Sequence, residues 1–334
     1  MKKVVVIGGG TGTATVLSSL VGDEELSLTG IVSIADSGGS TGRLRDEFGF
    51  IPVGDVRQCL GALAVGENSN LVRELLLYRF PQQSSLVGHN LGNLILTALT
   101  DLYQTPGKAI EVASKILRLK GQVFPISQTP ADLVIEYSDG SMVVGEDYLN
   151  YHQHGGKQIK RISLKQKPAI YQRAKQAILA ADLIIFGPGD LYASLLPNTL
   201  VRGFKPTLCR SVATYVYITN LMTNYAQTHL MTARDHLQEV ITYSGRVPDW
   251  VVINQQQIKN QRLVTSYQQH GSSPLVDDLS FLPFKIKVCR ANLVSATLAA
   301  QNKNDQLERN YLRHHAKNLH RVIKNILNEK KQNN

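Results

Sequence analysis

The sequence predicts an α/β fold: a Rossmann-like, doubly wound and mainly parallel sheet with a small inserted antiparallel subdomain and a C-terminal helix. Two observations support this. Short, almost wholly apolar segments alternate with segments of helical spacing, as strands covered on both faces require. The first of them, Lys3–Ile7, is followed by a glycine turn, a helical segment at Ala14–Leu20 and a second apolar strand at Leu28–Ala35. This order is a βαβ unit that opens a parallel sheet.

The remaining elements follow in chain order with one interruption. Helical spacing recurs in four consecutive segments, Asp55–Val65, Ser69–Tyr78, Asn90–Tyr103 and Lys108–Leu119. A Ser-Asp-Gly turn between alternating strands then predicts an inserted meander at about 130–165, with strands at Leu133–Tyr137, Met142–Val144 and Ile159–Leu164 and a polar, exposed tip at Tyr151–Lys157. Parallel order resumes with a helix at Ala169–Ala180, strands at Leu183–Phe186 and Tyr215–Ile218, a helix at Ala233–Ile241 and a strand at Trp250–Ile253.

Composition excludes several classes of protein. Of 334 residues, 43% are hydrophobic and 19% charged, which suits a globular chain with a sizeable core. No apolar run reaches the roughly 18–20 residues of a membrane helix, and Met1 leads directly into a strand without a signal-peptide core, so we expect no membrane span and a cytoplasmic protein. The three cysteines, Cys59, Cys209 and Cys289, are far apart, which excludes a disulfide framework and a cysteine zinc site.

Positive charge is concentrated at the C-terminus. The chain has a net charge of +10, and half of that excess lies in 301–334, which predicts a basic amphipathic helical tail beside a domain at 1–300. Apolar residues recur there at helical spacing, at Leu312, Ala316, Leu319, Ile323 and Ile326. We favour a helix packed on the core with a solvated cationic face. Nucleic-acid binding is the weaker interpretation, because Tyr311 is the only aromatic residue there.

The turn after the first strand has the composition of an anion-binding loop. Its sequence, Gly8-Gly9-Gly10-Thr11-Gly12-Thr13, lets backbone N–H groups approach an anion at a helix N-terminus. Thr13 stands where the dinucleotide fingerprint requires a third glycine. The structural alternative is a glycine turn that only joins strand to helix.

After the second strand, the segment from Asp36 to Arg45 combines glycines, hydroxyl residues and two arginines. We expect this segment to be a flexible anion cradle with Arg43 as a bidentate donor. Asp36 is the candidate catalytic residue and the candidate Mg²⁺ ligand, and an Asx turn or a helix cap is its structural alternative. Because an acid at this position binds ribose in dinucleotide enzymes, an NAD-binding domain remains an alternative.

Two later helix starts carry further polar residues. We expect Asp55 primarily to cap the N-terminus of its helix. Arg57 would then lie close enough to contact the anion expected at the segment from Asp36 to Arg45. In Gly88-His89-Asn90-Leu91-Gly92-Asn93, the polar side chains lie within one turn of the positive end of a helix. For His89, a structural and a functional role are evenly balanced.

A third glycine turn follows the strand Leu183–Phe186. Its Gly187-Pro188-Gly189-Asp190 sequence again places backbone donors at a helix start, and Asp190 is expected to cap that helix. The chain contains no HExxH motif and no serine or cysteine triad order.

Five motifs in this order carry a resemblance to a known family. They are GGGTGT, ADSGGSTGRLRDEFGFIPVGDVRQCL, GHNLGN, IIFGPGDLYASLLPN and TNLMTNYAQTHLMTARDHL. Together they resemble the YvcK-type gluconeogenesis factors of the 2-phospho-L-lactate transferase (CofD-like) superfamily over residues 1 to about 255. The resemblance implies a Rossmann-like core with an inserted subdomain and a cleft for a nucleotide diphosphate or a nucleotide sugar.

The resemblance also assigns residues to the cleft. Its nucleotide- and phosphate-binding positions fall on Gly9, Gly10, Thr11, Gly38, Gly39, Ser40, Arg43, Asp55, Arg57, His89, Asn90, Asn93, Gly187, Gly189 and Asn220, together with Asp36. Three departures stand out. Ser37 replaces a frequent second acid, Asp190 replaces a frequent serine, and Asn224–Gln227 replaces a Pro-Gly-Glu-Thr run.

The resemblance implies a cytoplasmic UDP-sugar-binding factor, required for cell shape and cell-wall metabolism under gluconeogenic growth. The alternative is a Mg²⁺-dependent phospho-group transferase of the 2-phospho-L-lactate transferase type that uses a nucleotide-activated donor. Expected partners are the nucleotide ligand, further copies of this chain and a cell-wall regulatory protein.

Overall fold

The computed structural model describes residues 1–81, 83–149, 156–298 and 311–332. Seven of the strands in this part form one sheet: β1 Lys2–Gly8, β2 Leu26–Val32, β3 Gln122–Pro125, β7 Leu183–Phe186, β8 Thr214–Ile218, β9 Trp250–Asn254 and β10 Lys287–Ala291. Their order is β10-β9-β8-β7-β1-β2-β3, and each neighbouring pair is parallel. The predicted doubly wound parallel sheet is therefore confirmed.

The inserted antiparallel subdomain is also confirmed. Its strands are β4 Leu133–Tyr137, β5 Met142–Val144 and β6 Ile159–Leu164, in the order β5-β4-β6. The short 3₁₀ helix Glu146–Leu149 follows β5. Of the predicted polar tip, residues 151–155 lie outside the described residues, and its last two residues, Gly156 and Lys157, are exposed.

Helices cover both faces of the large sheet. Their bounds are α1 Gly10–Leu20, α2 Gly39–Phe48, α3 Gly54–Ala62, α4 Ser69–Leu77, α5 Leu91–Tyr103, α6 Pro106–Ile116, α7 Gln172–Ala180, α8 Leu196–Thr199, α9 Phe204–Arg210, α10 Ala233–Ser244, α11 Gln261–Gln269 and α12 Ala316–Gln332. Local signals place several ends: Thr232 and Asp235 form a capping box at α10, and Gly49 and Gly245 end α2 and α10 in left-handed conformations. No described helix is long and apolar enough to cross a membrane.

The core lies between the central strands and their helices. Val4, Val6 and Ile7 of β1 are fully buried, as are Val16 and Leu17 of α1. This explains why the first strand is continuously apolar, since both of its faces are covered.

The C-terminal helix is part of this core. Helix α12 packs against α1, and one stripe of its side chains is buried: Leu319, Val322, Ile323, Ile326 and Leu327. On its flank, Lys324 Nζ lies 2.8 Å and His320 Nε2 3.1 Å from Asp23 Oδ2. The favoured interpretation, a packed helix with an exposed cationic face, describes this arrangement. The domain boundary predicted at residue 300 lies outside the described residues.

The predicted start of this helix was wrong. The apolar spacing included Leu312, but α12 begins at Ala316. The preceding segment is extended, with His314 in an antiparallel bridge to Val294. Leu312 is buried in that segment, so its apolar side chain matched the helical spacing although the residue is not part of the helix.

The prediction that the segment from Asp36 to Arg45 is flexible was also wrong in part. From Gly39 onward this stretch is α2, although glycine disfavours helix. Strands β3 and β10, at the two edges of the sheet, were not predicted at all.

Candidate functional site

The candidate residues gather beside the carboxyl ends of the central strands of the large sheet. Strand order reverses at β1, because the chain adds β2 and β3 on one side of it and β7 to β10 on the other. The loops that leave β1, β2 and β7 at their carboxyl ends therefore meet at a topological switch point, where open α/β sheets bind ligands. We call the space between Gly9–Thr11, Asp36–Arg43 and Gly187–Asp190 the strand-end cleft.

Close packing accounts for the glycines of the first loop. A Cβ on Gly9 would overlap the carboxylate of Asp55, and one on Gly12 would overlap the carbonyl oxygen of Pro188. Gly10 has φ +60°, which favours glycine. The Thr11 hydroxyl donates to Gln58 Oε1 at 3.0 Å. The first loop is thus packed against α3 and against the third loop. Its residues from Gly10 onward form the first turn of α1.

Asp36 forms an Asx turn at the start of α2. Its Oδ1 accepts from the Gly38 N–H at 3.0 Å, which is the structural alternative expected from the sequence. Gly38 is the N-cap, and Gly39 and Ser40 follow in the first turn of α2. The N–H groups of a first helical turn have no intrahelical partner, so this turn can offer donors to an anion.

Asp147 is a residue of the site that was not predicted from the sequence. The Ser37 hydroxyl donates to Asp147 Oδ1 at 2.7 Å, and the Asp147 N–H donates to Ser37 Oγ at 3.1 Å. Asp147 belongs to the inserted subdomain, which therefore reaches the cleft. A carboxylate thus lies beside the position where the resemblance expects a second acid. The available signal was the acidic Gly-Glu-Asp stretch after β5.

A buried polar network joins α2, α3 and α5. Asn93 Nδ2 lies 3.2 Å from Ser40 Oγ and 3.3 Å from Thr41 Oγ1, and its Oδ1 accepts from Arg57 Nε at 2.9 Å. Asn90 caps α5, accepting from the Gly92 and Asn93 N–H groups at 2.9 and 3.3 Å. These contacts lock the first turn of α2 onto α5, so Ser40, Asn90 and Asn93 are brought together as predicted.

The two arginines have different positions. Arg57 is 4% exposed, and its guanidinium also donates to the Leu76 carbonyl at 3.3 Å, so its described contacts lie inside the protein and favour a positioning role. Arg43 is exposed and donates to the Val87 carbonyl at 3.3 Å. Of the pair, Arg43 is therefore the one whose guanidinium a bound anion can reach.

His89 lies beside Ser40, with its Nδ1 3.4 Å from the hydroxyl oxygen. Partial burial lowers the pKa of His89, the charge of Arg43 lowers it further, and Glu47 opposes both effects. The imidazole is consequently neutral at pH 7, where it can donate one hydrogen bond and accept another.

Capping of the helix starts differs from the sequence prediction. Asp55 is not an N-cap: Val53 has that position, and Asp55 lies in the first turn of α3 against Gly9. Asp190 also makes no side-chain cap at the π-helical turn Leu191–Leu195. There, Gln227 Oε1 accepts from the Tyr192 and Ala193 N–H groups at 3.2 and 3.1 Å.

The third loop is fixed to β8 by an amide contact. The Gly189 N–H donates to Asn220 Oδ1 at 3.0 Å. Burial raises the pKa of Asp190, whereas a hydrogen bond from Asn224 and the charge of Arg313 oppose this rise. The third loop is thus within reach of the charge of Arg313, which lies in the extended segment before α12. Beside it, His314 Nε2 is 3.2 Å from the Thr219 carbonyl.

The structure thus places the predicted residues around the strand-end cleft in two groups. Some lie in the three segments that border the cleft: Gly9, Gly10, Thr11, Asp36, Gly38, Gly39, Ser40, Arg43, Gly187 and Gly189. Others hold those loops in place through the contacts described above: Asp55, Arg57, Asn90, Asn93 and Asn220. His89 lies between the two groups.

A parallel sheet with glycine-lined helix starts at its switch point defines a Rossmann-like protein with an anion-binding type of cleft. Known proteins that are similar to this chain belong to one family. The model of the family "2-phospho-L-lactate transferase CofD" matches residues 4–294. The gluconeogenesis factor of Halalkalibacterium halodurans is 39% identical over 279 residues, covering 83% of this chain and 84% of the relative. That of Bacillus subtilis is 35% identical over 296 residues, covering 88% and 91%.

The solved structures agree. A crystal structure of a UPF0052-family protein from Bacillus halodurans matches with a TM-score of 0.85 and 35% identity, covering 97% of this chain and 99% of that one. The chain therefore belongs to the CofD-like family, in the branch of the YvcK-type gluconeogenesis factors. Relatives can be longer: a Nostoc sp. relative is 39% identical over 278 residues, and the match spans 60% of its length.

Proposed function

We propose that this protein binds a nucleotide sugar, with UDP-sugars as the ligand class, in the strand-end cleft. In this proposal it acts as a factor that supports cell-wall metabolism and cell shape when carbon flows through gluconeogenesis. The names of its relatives, gluconeogenesis factors, support the link to gluconeogenesis. The geometry of the cleft supports the ligand class.

One observation carries the ligand proposal: the first turn of α3 contacts both the start of α1 and the first turn of α2. Gly9 packs against Asp55, and a Cβ on Gly54 would lie 2.6 Å from Thr41 Oγ1. Three helix starts therefore converge beside the exposed Arg43. Such dipoles and N–H groups favour a diphosphate, which carries more than one charge over a short length.

Asn90 adds a second support. Its Nδ2 is buried and makes no hydrogen bond within the part of the chain that the structure describes. Buried donors in proteins are almost always paired. We expect a ligand oxygen or an ordered water to accept from it when the cleft is filled.

Mg²⁺ is part of the proposal through Asp36. The described residues contain no group of three or more His, Cys, Asp or Glu that could hold a metal. An ion at Asp36 would complete its coordination from diphosphate oxygens and water, which is the usual arrangement for Mg²⁺. Its chemistry there would be to neutralise phosphate charge.

We also propose that the protein works in the cytoplasm as a homo-oligomer and that a cell-wall regulatory protein recognises its ligand-bound state. Exposed apolar side chains on α4 and α5 support self-association: Leu71 is 56% exposed and Leu102 75%. Size measurement by light scattering tests this part, and a monomer at micromolar concentration would contradict it.

Thermal unfolding with UDP-glucose tests the ligand proposal. At about 100 times its dissociation constant the ligand adds about 2.7 kcal/mol to the stability of the native state, so the melting temperature should rise by several degrees. Inorganic phosphate should raise it much less. Arg43→Ala should remove most of the rise, because this substitution deletes the exposed guanidinium at the cleft.

The matched control is Arg321→Ala. Arg321 is exposed on α12, and its replacement changes the net charge by the same amount without touching the cleft. If Arg321→Ala lost the rise and Arg43→Ala kept it, the ligand would bind at the tail and the proposal would be wrong.

A second candidate function is phospho-group transfer, favoured by the description of the matching family model. An acceptor hydroxyl would attack the distal phosphorus of a nucleotide-activated donor, the bond to the nucleoside monophosphate would break, and Asp36 would take the hydroxyl proton. Release of nucleoside monophosphate, followed by chromatography, distinguishes transfer from binding alone.

A further inference from the structure

A cavity of about 370 Å³ lies at the carboxyl ends of β8 and β9. None of its twelve lining residues is charged, and six of them carry carboxamides: Asn220, Asn254, Gln255, Gln256, Gln257 and Gln261. The other six are leucine, isoleucine, valine and proline residues. We call this space the amide cavity. Its mixed polar and aliphatic lining and its volume are those of a small-molecule site.

Some of these carboxamides are used within the protein and others are available. Asn254 donates to the Gln256 carbonyl at 2.8 Å and accepts from the Leu293 N–H at 2.9 Å, so it shapes the wall. The side chains of Gln256 and Gln261 make no hydrogen bond in the described part of the chain. They can therefore offer both a donor and an acceptor to a ligand.

Asn220 joins the amide cavity to the strand-end cleft. Its Oδ1 accepts from Gly189 in the third loop, and the same residue lines the cavity. The third loop in turn packs on Gly12 at the start of α1. A ligand whose diphosphate lies on the glycine loops can thus extend past Asn220 into the cavity.

We propose that the amide cavity binds the nucleobase of the nucleotide ligand. This inference rests on the proposed function and assigns the orientation of the ligand in the same site. A carboxamide presents a donor and an acceptor side by side, the arrangement that pairs bidentately with the edge of a base. The aliphatic side chains provide apolar contact for the faces of the ring.

The charge distribution supports this orientation over its reverse. The β2 side of the cleft carries Asp36, Arg43 and Asp147, whereas the amide cavity carries no charged residue. Sugar hydroxyls pair well with carboxylates and guanidinium groups, which form the stronger, charge-assisted hydrogen bonds. The sugar therefore lies toward β2 and the uncharged base toward β8 and β9.

The test compares binding by calorimetry of UDP, CDP, ADP, GDP, UDP-glucose and inorganic diphosphate. We expect wild-type protein to bind at least one nucleoside diphosphate about tenfold or more tightly than inorganic diphosphate. Gln256→Leu with Gln261→Leu should weaken that nucleotide at least about tenfold and leave inorganic diphosphate within about twofold. Both side chains are at least partly exposed, so folding should persist.

The control is Gln268→Leu with Gln269→Leu. Both residues are exposed on α11 and lie outside the cavity, so this protein should bind as wild type does. Unchanged nucleotide affinity in Gln256→Leu with Gln261→Leu would overturn the inference. The inference would also be overturned if these two substitutions removed only the additional affinity of UDP-glucose relative to UDP, because the sugar would then occupy the cavity. Failure of wild-type protein to bind any of the six probes would instead refute the proposed function, and the inference with it.

Discussion

Substitution of Asn90 tests the architecture of the cleft through its effect on the free energy of unfolding. Its side chain is fully buried and caps α5 through two accepted hydrogen bonds. The same helix start contacts Ser40 through Asn93. Replacement of Asn90 by alanine should therefore weaken both the helix and the loop that begins α2.

The expected cost follows from these contacts. Loss of an N-cap side chain costs about 1 kcal/mol, and a buried N–H left without a partner costs about 1–3 kcal/mol. Because Gly92 and Asn93 both lose their acceptor, we expect Asn90→Ala to lower the free energy of unfolding by about 2–4 kcal/mol. Asn90→Asp keeps an oxygen that can accept from both N–H groups, and the helix dipole favours its charge, so it should cost less.

Urea denaturation followed by circular dichroism measures these differences. Asn68→Ala is the matched control, because Asn68 occupies the N-cap of α4 without a side-chain hydrogen bond. That variant should stay within about 0.5 kcal/mol of wild type. Equal effects of Asn90→Ala and Asn68→Ala would refute the reasoning, since the observed cap would then contribute nothing.

Two further predictions concern titratable groups. Burial lowers the pKa of His236 and of His314 from 6.5 to about 4. Between these pH values the unfolded chain therefore binds more protons than the folded protein. The stability present above about pH 6.5 is lost as the pH falls toward 4, by about 1.4 kcal/mol per pH unit for each histidine. His236→Gln with His314→Gln should flatten this slope in urea titrations at several pH values, and an unchanged slope would contradict the assignment. Asp36→Asn keeps an oxygen for the Gly38 N–H, so stability should change by no more than about 0.5 kcal/mol, whereas the Mg²⁺-dependent part of UDP-glucose affinity should disappear in calorimetry. Retention of that part would exclude Asp36 as the ion ligand.

The central elements were predictable because their sequences report burial directly. Strands β1 and β7 are continuous apolar runs, covered on both faces. The edge strands are different: β10 has only one buried residue, Ala291, and β3 has four residues. Such short or partly exposed segments have no clear period, so nothing local distinguishes them from loops.

Helix α2 shows how tertiary contacts override local preference. Its first residues include Gly39 and Gly42, which favour a loop. The helix is held instead by the Asx turn at Asp36 and by Asn93, which contacts Ser40 and Thr41. The contacts of Asn93 join residues 53 and 52 positions apart, which no local pattern can indicate.

The same limit applied to the candidate site. Glycine turns and their polar neighbours were predictable because each is a local motif at a strand end. Asp147 and Gln227 were not, because each contacts a loop or a helix start of the site from a distant segment; Ser37 and Asp147 are 110 positions apart. Sequence could place the loops, whereas only the structure shows which side chains support them.

A crystal structure of the protein soaked with UDP-glucose and Mg²⁺ tests the central claim most directly. The account predicts diphosphate oxygens at hydrogen-bond distance, about 2.7–3.2 Å, from first-turn N–H groups of α1 and α2 and from the Arg43 guanidinium. It also predicts uracil in the amide cavity beside Gln256. A diphosphate bound on the exposed face of α12, or a strand-end cleft without ligand at saturating concentration, would contradict the account.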